Sequence, residues 1–360
     1  MQRLSDVSNI WKTIKEIDVS EIRERSEQPL HVALVAAPEL RAALLRALQL
    51  SPSRYPAVGR PLLLEIEPAT ARTRLSDLRS SDVLLLALRP SELAAEERLG
   101  LREWLARQGT PLVTLLIGDA ATFEPAALPG ERLVHAAAAT PAALAETLMP
   151  ALVEVLPDDL RVAAARQLPG LREAVARWLI GEVAFSNATF ALSSGIPQLV
   201  PLLNIPLTAA DIVVLTKNQV MMTYRLALAY GAPADFQAQL SELAPVIGGG
   251  FLWRQLARQL VGLIPMLGLV AKVAVAYAGT YVTGQVAAAW YRNGEVISGA
   301  VLRQLHRQAL VRGRQLAREL IRRRRARPEA PRLAPPLADA TPEALPPRAR
   351  WRRWFRRSKS

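Results

Sequence analysis

The chain of 360 residues carries 45 Lys and Arg against 32 Asp and Glu, a net charge of +13, with no cysteine and three histidines, His31, His135 and His306. The missing cysteine excludes disulfides, thiolate metal sites and cysteine nucleophiles, and it agrees with a reducing compartment. The charge is uneven: residues 301–360 hold 18 basic and 4 acidic residues, a net of +14, so residues 1–300, with 27 and 28, carry −1 and form no basic nucleic-acid-binding body.

Residues 1–28 are polar and amphipathic. Ile10, Trp11, Ile14 and Ile17 mark one face of a short leading helix. No charged end followed by an apolar core is present, so no secretory signal is expected. The histidines lie far apart in sequence, which argues against a His-rich metal cluster.

Residues 29–157 alternate strand and helix. His31–Ala36 is a buried strand and Pro38–Leu48 a helix. Leu62–Ile66 and Asp82–Leu88 are further strands, followed by a helix over Ser91–Arg107. Leu112–Ile117 is a fourth strand, Leu133–Ala138 a weaker fifth, and Pro141–Val155 a helix. Strands apolar at every position, alternating with helices, predict a doubly wound, mostly parallel sheet covered on both faces.

A sheet of this kind invites a search for a phosphate loop after its first strand. Such a loop needs glycines, a Lys for the phosphates and a Ser or Thr for Mg²⁺. In register with G-x-x-x-x-G-K-S, the first glycine is Ala36, the second Arg41, the Lys Ala42 and the Ser Ala43. No Lys occurs between Lys15 and Lys217, so no P-loop Lys exists anywhere in the sheet, and an Arg replaces its charge but not its compact reach. The layout over Pro29–Pro157 resembles an Era-type (Ras-like) GTPase domain. That resemblance implies a D-x-x-G slot at Glu67-Pro68-Ala69-Thr70, an N-K-x-D slot at Ile117-Gly118-Asp119-Ala120 and a late S-A-K slot at Ala136-Ala137-Ala138. Each departs from the family pattern, so the expectation is a degenerate, GTPase-like module with no cofactor. GTP with Mg²⁺ enters only if the chain is a divergent active NTPase.

From Asp158 the composition turns helical, and residues 158–300 predict an all-α domain. Asp158 and Asp159 complement the dipole at a helix start, and Leu160–Leu179 is amphipathic. Val183–Ala210 has no charged residue but contains Pro197, Pro201 and Pro206, which predicts broken helices or a hairpin. Asp211–Tyr230 is a helix ended by Gly231 and Pro233. Gly248–Gly294 is the longest apolar stretch. It opens with an amphipathic segment, Phe251–Val261, and continues as two uncharged runs separated by Lys272. In the second run Ala276, Thr280, Gly284 and Ala288 form a stripe of small side chains that admits a close helix neighbour. Each run alone is about 12 residues, short of the roughly 20 a spanning helix needs. The expectation is a compact bundle or shallow hairpin at the cytoplasmic leaflet.

The segments NIPLTAADIVVLTKNQVMMTYRLALAYG, GGGFLWRQLARQLVGLIP and VAYAGTYVTG resemble the YcjF-type helical domain, domain of unknown function 697, over Trp178–Gly294. That family is often fused behind Era-type GTPase domains. The resemblance supplies no catalytic residues. The polar positions to follow are Asp211, Lys217, Asn218, Gln219, Arg254, Arg258 and Lys272, read either as a polar seam inside a bundle or as an interdomain contact.

Residues 301–326 form a basic helix. Leu302, Leu305, Ala309, Leu316 and Leu320 lie on its apolar side, and Arg303, Arg307, Arg314, Arg318 and Arg322 elsewhere around it. Residues 327–360 read as a disordered, Pro-rich tail. It ends in a cluster of Trp351, Arg352, Arg353, Trp354, Phe355, Arg356 and Arg357, preceded by Arg350. Interleaved Arg and Trp suit an anionic lipid surface, RNA through phosphate contacts and stacking, or a solubilising tail without a partner.

The expected whole is a membrane-associated, cytoplasm-facing regulatory or scaffold protein of GTPase-like descent. It leans away from enzyme activity and has a protein partner that no motif identifies. The alternatives are a divergent active NTPase and a nucleic-acid-binding adaptor acting through the tail. No sequence feature sets the oligomeric state.

Overall fold

Val, Leu and Ile at nearly every position of the central strands predict a sheet buried there on both faces; five parallel strands form it, and the two at its edges are only partly buried. In the computed structural model, residues 17–50, 53–119, 126–193, 209–239, 241–242 and 269–325 are described. The sheet contains β1 (His31–Val35), β2 (Leu62–Ile66), β3 (Val83–Leu88), β4 (Leu112–Ile117) and β5 (Glu131–Ala136), ordered β2-β1-β3-β4-β5. That is a doubly wound order whose topological switch point lies between β1 and β3. Val32 pairs with Leu63 and Val83, and Leu85 with Val113.

Successive side chains of a strand point to opposite faces, and the core divides accordingly. Val32, Leu34, Val83, Leu85, Val113 and Leu115 pack on one face with helices α2 (Pro38–Gln49) and α5 (Pro141–Val155). Ala33, Val35, Leu84, Leu86, Leu112 and Leu116 pack on the other with α3 (Leu75–Arg79) and α4 (Ala95–Ala106). At the far edge Arg102 of α4 donates two hydrogen bonds to Glu131 of β5, at 2.9 and 2.8 Å, with both side chains fully buried. Burial raises the Glu131 carboxyl, but the bonds from Arg102 and from the Leu128 N–H outweigh it and hold its pKa below the ordinary value.

The first core does not stop at the sheet. It continues through Val162, Leu168, Leu171, Val175, Tyr224, Leu228 and Phe236 of the helical region. The helix expected over Leu160–Leu179 is two helices, α6 (Arg161–Gln167) and α7 (Arg172–Ser193), with a 3-10 turn at Pro169–Leu171 between them. Pro169 has no N–H to continue α6. Gly170 lies so close to α2 that a Cβ there would meet the Ala47 carbonyl oxygen at 2.3 Å.

Helices α8 (Ala209–Ala229) and α9 (Leu269–Asn293) pack with α7. The small-residue stripe of α9 is its contact with α7: a Cβ on Gly284 would lie 2.6 Å from Ile180 Cγ1. Helix α10 (Gly299–Arg325) lays Leu302, Leu305, Ala309 and Leu310 on Ala278, Val282 and Val286 of α9. Residues Met1–Leu320 form one unit and Ile321–Ser360 a second, of which the end of α10 is described. Among the described residues no helix is long and apolar enough to cross a membrane.

Ile10, Trp11 and Ile14 lie outside the described residues, whereas Ile17 packs against the first core. Within the span of the leading helix expected over residues 1–28, the helix described is α1 (Ser20–Ser26), and its first N–H, at Ser20, donates to Asp18 Oδ1 at 2.9 Å.

Candidate functional site

The carboxyl ends of β1 and β3 form the crevice where doubly wound sheets bind ligands. Here β1 passes into α2 through Ala36 and Ala37 alone. The buried Ala36 donates its N–H to the Ile66 carbonyl at 3.0 Å, and Pro38, the first residue of α2, has no N–H. Arg41 holds Glu65 of β2 at 2.8 Å, while Ala42 is exposed and Ala43 half-buried. At the end of β3 the Arg89 N–H donates to Glu92 at 3.1 Å, and its guanidinium faces Glu92 at 3.8 Å and Glu39 at 3.9 Å. The crevice thus pairs its two arginines with carboxylates. The slot at Glu67–Thr70 is the start of a 3-10 helix, Pro68–Thr73, in which Thr70 donates its N–H to the Glu67 carbonyl at 3.0 Å. Among the described residues no three His, Asp or Glu side chains converge to hold a metal ion.

A buried polar network lies among the helices of the bundle. Asn187 of α7 and Thr280 of α9 are fully buried. Asn187 Nδ2 donates to Thr280 Oγ1 at 2.8 Å and to the Leu215 carbonyl at 3.5 Å, and its Oδ1 accepts from Asn218 at 2.7 Å. Gln219 donates to Thr280 Oγ1 at 3.2 Å, and that hydroxyl donates to the Ala276 carbonyl at 2.9 Å. Three helices are tied by one network. Of the seven positions followed from the sequence, Asn218 and Gln219 belong to it. Lys217 is exposed, and Lys272 is half-buried in the first turn of α9. The Asp211 side chain and all of Arg254 and Arg258 lie outside the described residues. Asn187 is not among the positions read from the sequence, and Thr280 enters there only as one of the small residues of the α9 stripe. The available signal was an amide on the apolar side of a helix, in line with Val183, Ala184, Ala188 and Ala191, where a polar group needs a partner.

The sheet and the helices are joined elsewhere, at residues 53–58 between α2 and β2. Arg172, 1 % exposed, donates to the Tyr55 and Pro56 carbonyls at 2.7 Å each and to the Ala165 carbonyl at 3.3 Å. Burial pulls its pKa down to about 10, still far above neutrality, so the guanidinium stays charged. The Arg54 N–H donates to the Arg292 carbonyl at 2.8 Å, and the Val58 N–H to the Arg166 carbonyl at 2.9 Å. Glu242 gathers the guanidinium of Arg54, the Tyr55 hydroxyl at 3.3 Å and the Trp290 indole N–H at 3.1 Å. Behind it the Tyr230 hydroxyl donates to Glu173 at 2.8 Å, and burial and that carboxylate push the phenol pKa up. The network pairs Arg54 with Glu242 across the joint.

On α10, Arg303, Arg307, Arg314 and Arg318 are exposed, and among the described residues they form no ion pair. The tail cluster Trp351–Arg357 lies outside the described residues. In comparisons with known proteins, the chain matches no family model and no curated protein.

Proposed function

We propose that the chain is a membrane-associated regulatory or scaffold protein whose α/β domain is GTPase-like in layout and works without nucleotide. Its helical part corresponds to the YcjF-type domain and meets the cytoplasmic leaflet together with the basic tail. One observation carries the reading. The β1-to-α2 connection is two residues long, its Ala36 N–H is committed to the sheet, and the nearest cation, Arg41, is held by Glu65. A phosphate placed there would meet carboxylates at Glu39, Glu65 and Glu92 in place of a Lys and a glycine cradle. Each missing charge-assisted contact removes roughly 1.5–3 kcal/mol of phosphate binding. The test is calorimetry on the full chain with GTP, GDP and ATP, each with Mg²⁺. Heats no larger than dilution are expected. Low-micromolar affinity for any of the three would overturn the reading in favour of a divergent NTPase.

A further inference from the structure

Four arginines on α10, Arg303, Arg307, Arg314 and Arg318, are spaced by four, seven and four residues. At 3.6 residues per turn they fall within a sector of about 60° and run about 22 Å along the helix. All four are exposed.

The opposite side of the helix is fixed. Ala309, Leu316 and Ala317 are buried, and a Cβ on Gly313 would lie 2.8 Å from the Ala274 carbonyl oxygen of α9. A helix seated that closely cannot roll its arginines inward. Arg312, off the sector, is engaged within the protein: its guanidinium lies 5.9 Å from the Tyr281 ring and donates to the Tyr281 hydroxyl at 3.4 Å. The one carboxylate of α10, Glu319, also falls outside the sector. The stripe is therefore a positive surface on a body whose first 300 residues are close to neutral.

Val311 decides what such a surface fits. It sits beside the arginines, between Arg307 and Arg314, and is 53 % exposed. An aliphatic side chain among cations matches the boundary between lipid headgroups and acyl chains. A phosphodiester backbone with its bases would favour stacking or hydrogen-bonding groups there. We propose that this face of α10 is a docking surface for an anionic phospholipid bilayer, with the arginines on headgroup phosphates and Val311 at the acyl boundary. The inference rests on the membrane reading above and locates it on a rigid helix.

The test uses the full chain with vesicles of phosphatidylglycerol in phosphatidylcholine, against phosphatidylcholine alone and single-stranded RNA. One variant is Arg307→Gln with Arg314→Gln; a second replaces Trp351, Trp354 and Phe355 with Ala. Each arginine near an anionic leaflet contributes about fivefold, so the double variant should partition about 25-fold more weakly at an unchanged melting temperature. Because the chain has no cysteine, an environment-sensitive dye on Val311→Cys reports the face directly. It should shift to the blue on anionic vesicles, whereas the same dye on Gln49→Cys should not. A double variant that binds as wild type, or a Val311 dye that does not respond while the protein binds, overturns this inference and leaves the membrane reading standing. A wild-type chain indifferent to both vesicle types overturns the membrane reading and this inference with it. Preference for RNA, lost in the double variant, overturns the lipid assignment.

Discussion

Arg172→Met tests whether the joint between sheet and helices is held by one guanidinium. The side chain is almost wholly buried and makes two 2.7 Å bonds to the Tyr55 and Pro56 carbonyls. Hydrogen bonds from a charged donor contribute about 1.5–3 kcal/mol each, and a carbonyl left without a donor costs about 1–3 kcal/mol. Against this, Met no longer has to hold a charge away from water, which recovers part of the loss. A net loss of about 2–4 kcal/mol is expected, a large share of the 5–15 kcal/mol typical of a domain. Arg172→Lys should fall between Met and wild type, because one ammonium cannot reproduce the planar fork that meets two carbonyls. Urea unfolding followed by circular dichroism gives the magnitude. Amide exchange gives the place: the Arg54 and Val58 N–H groups, which donate to the Arg292 and Arg166 carbonyls, should lose protection before those of the central strands. A loss under about 1 kcal/mol with both amides still protected would refute the argument.

Gly231→Ala should destabilise by more than 2 kcal/mol, because Gly231 has φ +88° and its Cβ would lie 2.5 Å from the Pro56 carbonyl oxygen. Gly109→Ala is the control: φ is +81° but nothing lies within 4 Å, so only the left-handed backbone cost of about 1–2 kcal/mol applies; equal losses in thermal melts would count against the close approach at residue 231. Glu131→Gln should remove the charge-assisted part of the Arg102 pair, and the effect depends on pH in a fixed sense. The folded carboxyl pKa lies below the ordinary value, so its contribution is present above the unfolded pKa of about 4.3 and fades as pH falls through the folded value. The stability gap between wild type and Glu131→Gln should therefore be wide at neutral pH and close in acid. A gap that widens as pH falls would reverse the assigned sign.

The sheet was legible because its strands are short apolar runs between helices, and the central ones, covered on both faces, are apolar at almost every position, a local property. Leu62–Ile66, Leu112–Ile117 and the helix Pro141–Val155 fall on the residues the pattern marked. The stripe at Ala276, Thr280, Gly284 and Ala288 was legible for the same reason, since spacing on one helix states which face a neighbour can approach. The joint was not legible. Its bonds close over 117 and 116 residues from Arg172, and the seam, equally hidden, closes over 93 residues between Asn187 and Thr280. No window of sequence contains both ends.

Partial information was nevertheless present in α7. Arg172 and Arg177 are both arginines near the start of that helix, yet their surroundings differ. Arg172 is in line with Val175, Ala176 and Leu179, all buried, whereas Arg177 is exposed and donates to the Glu173 carbonyl at 3.3 Å. A guanidinium on the apolar face cannot reach water, so it has to find carbonyls or a carboxylate within the fold. Asn187 occupies the same side of the helix four turns on and obeys the same requirement, with Thr280 and the Leu215 carbonyl as its partners. Local pattern thus marks which polar residues need a long-range partner, and only the fold supplies the partner. In α7 the need at one end is met by a loop of the α/β half, and at the other by helices of the bundle. Residues 53–58 are therefore bound to the same helix that carries the seam.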